Sequence, residues 1–145
     1  MKQREIQVPN DTAHLAQVRK SVLELIGSDV FTAKEAQMVA LAIDEAVANV
    51  MEHAYAGGEG EKAQEITLSL NLDDTRLMVT IRDTGKMFDP TMKADVDVRE
   101  QVKQGKKGGL GIFLMRKIMD EVNYSYKRGL HNELQLIKYR QKLQA

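Results

Sequence analysis

A change of hydrophobic period after residue 65 restricts the fold of this chain more than any other feature. Ile66, Leu68, Leu70 and Leu72 alternate with Thr67, Ser69 and Asn71; after Asp73-Asp74 the alternation resumes at Leu77, Val79 and Ile81. Side chains of a strand point to opposite faces in turn, so this pattern predicts an antiparallel hairpin with one buried face. Asp83 falls in phase with Leu77, Val79 and Ile81, which aims a carboxylate at the core. A buried carboxylate without a partner is costly, so Asp83 must find a donor. Two sources fit. One is the N–H of a ligand at the mouth of the loop Thr84-Gly85-Lys86-Met87-Phe88-Asp89-Pro90; the other is the aspartate's own turn, a common role for Asp ahead of Gly.

Around the hairpin the period is helical. Gln3 to Val8 reads as a short strand ended by Pro9, and Asn10 or Asp11 as the N-cap of a helix to about Ile26, stopped by Gly27. Leu15, Val18, Val22 and Ile26 form its apolar stripe. Thr32 and Glu35 have capping-box spacing for a second helix to about Ala54, followed by the turn Gly57-Gly58-Glu59-Gly60-Glu61. Asp89 to Lys107 is charged and aperiodic, as a loop is. A third helix is predicted from Leu110 to about Glu121, then strands over Tyr124–Lys127 and Glu133–Tyr139. This order predicts an α+β fold, a two-layer sandwich with three main helices on one face of a mixed, mostly antiparallel sheet. At 145 residues, with neither repeat nor linker, a single domain over 1–145 is expected.

Composition removes several function classes. Lys plus Arg and Asp plus Glu both number 21, and a zero net charge does not suit sequence-independent binding of nucleic acid. Without cysteine there is no disulfide framework or thiolate chemistry, and His14, His53 and His131 lack metal-ligand spacing. No apolar run reaches membrane-spanning length and Met1-Lys2-Gln3-Arg4-Glu5 does not open a signal peptide, so a cytoplasmic location is expected.

Two further patterns carry chemistry. In the second helix Val39, Ile43, Ala46, Val47 and Val50 form the core stripe, while Glu45 and Asn49, four apart, share another face flanked by Met38, Leu41 and Ala42. A carboxylate there can orient or deprotonate a hydroxyl, and an amide oxygen can ligate a hard cation such as Mg²⁺; an exposed helix flank is the plain alternative. Asp44 and Glu52 point elsewhere, toward solvent, and His53 packs against or caps the helix end. The second pattern is Lys106-Lys107-Gly108-Gly109-Leu110-Gly111, glycines at a loop-to-helix junction beside two lysines. Backbone N–H groups at a helix start favour anions such as phosphate; a hinge without ligand is the alternative reading.

Taken in order, Asp44-Glu45-Ala46-Val47-Ala48-Asn49, Asp83-Thr84-Gly85 through Asp89-Pro90, and Gly108-Gly109-Leu110-Gly111 resemble the N, G1 and G2 boxes of the GHKL ATPase superfamily. The chain is most similar to its branch of anti-sigma factor serine/threonine kinases, over Asn10 to Lys138. The resemblance implies ATP and Mg²⁺ as ligands, with Glu45 as general base and Asn49 on the metal. It implies that Asp83 accepts from the adenine amine, that Gly85 leaves the ring room, and that Gly109 and Gly111 offer N–H groups to phosphates. Phe88, Lys107, Gly108 and Leu110 complete the implied nucleotide-binding set, and residues 89–107 become an ATP lid.

The implied partners are a sigma factor and a small anti-anti-sigma substrate of the STAS type, with neither nucleic acid nor membrane, in a chain whose relatives are often homodimers. Arg19, on the polar side of the first helix, is the candidate docking residue, against the alternative of a solvated arginine. Two departures stand out: Met87 replaces a frequent proline, and no threonine or serine of the late strand occurs around Glu133-Leu134-Gln135. Two rival functions fit the same boxes, a nucleotide-sensing regulator without phosphotransfer and a detached catalytic domain of a histidine kinase system.

Overall fold

Strand β1 (Lys2–Pro9) leads through a short 3-10 turn (Thr12–His14) into helix α1 (Leu15–Ile26), and helix α2 spans Ala33–Ala54. Strands β2 (Glu65–Leu72) and β3 (Arg76–Asp83) form the central hairpin; helix α3 (Leu110–Ile118) and strands β4 (Glu121–Lys127) and β5 (His131–Tyr139) follow. The computed structural model describes residues 1–27, 30–54, 65–86, 89, 110–127 and 131–140. Among these the sheet runs β1-β2-β3-β5-β4, and every neighbouring pair is antiparallel.

Local chemistry accounts for the element ends. Asp11 Oδ1 accepts from the Ala13 N–H at 3.0 Å, capping the 3-10 turn that precedes α1. Gly27 ends α1 at φ 65°, a conformation that disfavours a Cβ. Thr32 Oγ1 accepts from the Glu35 N–H at 3.1 Å and donates to Glu35 Oε1 at 3.2 Å, so the spacing of a capping box does open α2. In the hairpin turn Asp73 Oδ1 collects the N–H groups of Thr75 at 2.8 Å and Arg76 at 2.9 Å, and these donors hold its carboxyl below the ordinary range.

Several boundaries differ from expectation: α1 itself starts at Leu15, the Asp11 cap serving the 3-10 turn before it, and β4 starts at Glu121 rather than Tyr124. Helix α3 stops at Ile118 rather than near Glu121, because Glu121 already pairs with Ile137 as the first residue of β4. The Asp120 N–H donates to Ile137 O at 2.9 Å and turns the chain into that pairing. Strand β5 begins at His131, two residues before the expected Glu133, and the extra length sets Asn132 opposite Asp83.

One apolar layer lies between the helices and the sheet. The expected stripe of α2 is buried there, with Val39, Ile43, Ala46 and Val47 fully enclosed against Leu68, Leu70, Leu77, Val79, Ile81, Leu134 and Leu136 of the strands. Each enclosed Val, Ile or Leu side chain contributes about 1.5–3 kcal/mol relative to exposure. On the other sheet face side chains are more polar, and Arg82 of β3 pairs with Glu133 of β5 at 3.0 Å. Among the described residues no helix is long and apolar enough to cross a membrane.

Candidate active site

Glu45 and Asn49 lie one turn apart on α2, both half-buried. What faces them is the start of α3. A Cβ on Gly111 would stand 2.4 Å from Glu45 Oε2, 3.3 Å from its Cδ and 3.4 Å from Asn49 Nδ2. The backbone of Gly111 therefore rests against the acid–amide pair so closely that a side chain there would have to displace the Glu45 carboxylate. Burial pushes the Glu45 carboxyl above its ordinary range, and the neighbouring Asp44 charge adds to the effect. Met38 and Leu41 on the same side of α2 remain 41% and 38% exposed, so this flank is apolar and open.

Asp83 is only 7% exposed at the end of β3, as its phase requires. Its Oδ1 accepts from the Gly85 N–H at 3.0 Å, so the aspartate does cap its own turn. The same oxygen accepts from Asn132 Nδ2 at 2.8 Å. Burial holds the Asp83 carboxyl above its ordinary range, and the donors Asn132 and Gly85 and the nearby His131 offset this only in part. Among the described residues the hydrogen bonds of this carboxylate fall on Oδ1. Oδ2 is left to a further donor, so the turn and a ligand are compatible roles.

The structure thus joins Glu45 and Asn49 to Gly111, and Asp83 to the Gly85 turn; α2, which carries the first group, packs over β3, which carries the second. Leu110 opens α3. Phe88, Lys107, Gly108 and Gly109, and the 89–107 segment apart from Asp89, lie outside the described residues. Among the described residues no three His, Cys, Asp or Glu side chains converge as a metal cluster.

Asp44 corrects an expectation. Its side chain is not solvated but 13% exposed, paired with Arg19 at 2.9 Å, and its Oδ1 is buried without a hydrogen-bond partner. The cause is packing of α1 on α2, which lays Arg19 across Asp44. Arg19, half exposed, is therefore engaged within the chain rather than simply solvated. Glu52 is exposed as expected, and His53 lies half-buried at the helix end, 3.9 Å from Glu52.

Asn132 is the site residue that sequence reasoning passed over. The threonine or serine that the family resemblance implies for the late strand is absent around Glu133-Leu134-Gln135, and the polar partner of Asp83 lies one residue before that stretch. The signal was present: Asn132 is in phase with Leu134 and Leu136, and so belongs to the core face.

Residues 8–138 match the family described as Histidine kinase-like ATPase domain. This chain belongs to that family. It is 30% identical over 129 residues to the serine-protein kinase RsbW of Listeria monocytogenes, covering 86% of this chain and 80% of the relative. The serine-protein kinase RsbW of Bacillus mycoides is 27% identical over 130 residues, covering 87% and 79%. Among solved structures, the SiaB-SiaC complex from Pseudomonas aeruginosa superposes with TM-score 0.65 at 18% identity, over 92% of this chain and 88% of that one. The RsbU and RsbW domains of a Mycobacterium tuberculosis protein give TM-score 0.63 at 13% identity, over 97% of this chain and 33% of that one. At these identities the two structures show the fold alone.

Proposed function

We propose that this chain is a serine/threonine kinase of the anti-sigma factor type, which uses Mg-ATP to phosphorylate a small STAS-type anti-anti-sigma protein and binds a sigma factor. The observation that carries this reading is the seat of Gly111 on the Glu45–Asn49 pair, which sets a helix start against a carboxylate and an amide. Its similarity to proteins named serine-protein kinase RsbW supports the same class. The residues fit the ligand on two counts. The cradle at Gly111 takes a side chain only by displacing the Glu45 carboxylate, and Asp83 keeps one carboxylate oxygen without a partner among the described residues.

ATP with Mg²⁺ supplies the phosphoryl group and screens its charge. The chain's own residues do the positioning. Glu45 receives the proton of the substrate hydroxyl on its carboxylate, and a carboxyl raised by burial is a better base than an exposed one. Asn49 presents Nδ2 toward Gly111, which leaves its amide oxygen for a hard cation. Asp83 accepts the N–H of the base, and Gly85 keeps the turn close beside it. Gly109 and Gly111 offer backbone N–H groups to phosphate, with Lys107, Gly108, Leu110 and Phe88 completing the site. Residues 89–107 act as a lid within a single domain over 1–145, and the protein works in the cytoplasm, as a homodimer.

The test is incubation of the purified chain with labelled ATP, Mg²⁺ and candidate STAS-type proteins. Label on a serine or threonine of the partner is the expected result. Nucleotide binding without transfer would leave only a nucleotide-sensing regulator, and label on histidine would point to a histidine kinase system. Asp83→Asn should weaken ATP binding by about tenfold or more, the loss of a charge-assisted hydrogen bond. Calorimetry that returned the wild-type affinity for this variant would contradict the assignment.

A further inference from the structure

The residues that hold Asp83 form a polar chain across three strands. Tyr124 of β4 donates its hydroxyl to Asn132 Oδ1 at 3.0 Å. Asn132 of β5 donates from Nδ2 to Asp83 Oδ1 at 2.8 Å, to Gly85 O at 3.0 Å and to Lys86 O at 3.4 Å. Asn132 is 2% exposed, so water cannot substitute freely for any of these partners. A carboxamide has one donor end and one acceptor end, and the two are nearly identical in shape. Flipped, Asn132 would turn its oxygen against a carboxylate and two carbonyls and its NH₂ against a hydroxyl. The tyrosine supplies a donor at the acceptor end, which raises the cost of the flip and locks the amide in its working sense.

We propose that Tyr124 is a positioning residue for recognition of the nucleotide base: by orienting Asn132 it engages Asp83 Oδ1 and the Gly85 turn, and leaves Oδ2 for the N–H donor of the base. The inference rests on the ATP-binding reading above. Its physical logic is that of a preorganised acceptor. A carboxylate tethered through one oxygen does not have to be ordered when the ligand arrives. The alternation of β4 serves the same end, since Tyr124 lies opposite Leu134 on the helix-side face and reaches Asn132 diagonally.

Tyr124→Phe removes the hydroxyl and keeps the ring. Titration calorimetry with Mg²⁺ would compare ATP with purine riboside triphosphate, which lacks the exocyclic amine. ATP affinity is expected to fall about five- to tenfold while the amine-free analogue is unchanged. In the nucleotide-free protein, carbon-13 NMR should show the Asp83 carboxyl titrating at higher pH, because a disordered amide no longer favours its charged form. In an Asn132→Ala background, Tyr124→Phe should have no further effect. Equal losses for both triphosphates, or wild-type discrimination together with wild-type Asp83 titration, overturn the proposal. A wild-type protein that takes up neither triphosphate overturns the ATP-binding reading instead. The Asp83 titration then decides the relay by itself: unchanged, it overturns the role of Tyr124, and shifted upward it sustains the Tyr124–Asn132–Asp83 coupling.

Discussion

Glu45→Gln is expected to slow phosphotransfer by about 10²- to 10⁴-fold, the usual contribution of a positioned general base, with ATP affinity within a few-fold of wild type. The substitution keeps the volume and the α2 face, so the Gly111 contact survives while the proton acceptor is lost. Single-turnover transfer with nucleotide in excess, beside calorimetric ATP binding, separates the two quantities; equal loss of both would assign Glu45 to binding. The pH dependence has a definite sign. Burial and Asp44 raise the Glu45 carboxyl, so its basic form is depleted as pH falls through a value above the ordinary glutamate range. Transfer should therefore fail at a higher pH than an unperturbed glutamate would allow. Asp44→Asn removes the second cause and should move that acid limb downward. An acid limb at or below the ordinary glutamate range in the wild-type protein would contradict the assignment.

Gly111→Ala should separate folding from activity. The new methyl would lie 2.4 Å from Glu45 Oε2, too close to coexist with the present carboxylate position. The atom that must yield is the tip of a flexible side chain, so the fold has little reason to fail. Alanine also replaces glycine within the first turn of α3, a gain of up to about 1 kcal/mol in helix propensity. Thermal stability is expected to hold or rise. Transfer is expected to fall by about 10²-fold, because displacing a catalytic group by an ångström costs on that order. Adding Gly111→Ala to Glu45→Gln should bring little further loss, since both act on one group. A melting point that collapses while activity per folded molecule persists would mean that Gly111 serves packing alone.

Much of the architecture was legible because it is written in short-range periodicity. The hairpin followed from alternation between Ile66 and Asp83, and α2 from its Thr32–Glu35 cap and the Val39–Val50 stripe. Asp83 was correctly placed on the core face by phase. Where two elements compete for the same residues, local signals gave the wrong boundary. Helical propensity continues past Ile118, but pairing of Glu121 with Ile137 draws that segment into β4. The same limit hid Asn132, since the start of β5 is settled by its pairing with β3.

Periodicity and spacing by themselves determined the order of helices and strands, the buried faces of α1, α2 and the β2–β3 hairpin, and the one-turn separation of Glu45 and Asn49, because each depends on residues a few positions apart. Only the tertiary structure decided that Asn132 meets Asp83, that Gly111 closes on the acid–amide pair, and that Arg19 covers Asp44. Those meetings join residues 25 to 66 positions apart, and they depend on strand register and helix docking. Register and docking are set by the packing of the whole apolar layer, for which no local run of residues carries a rule.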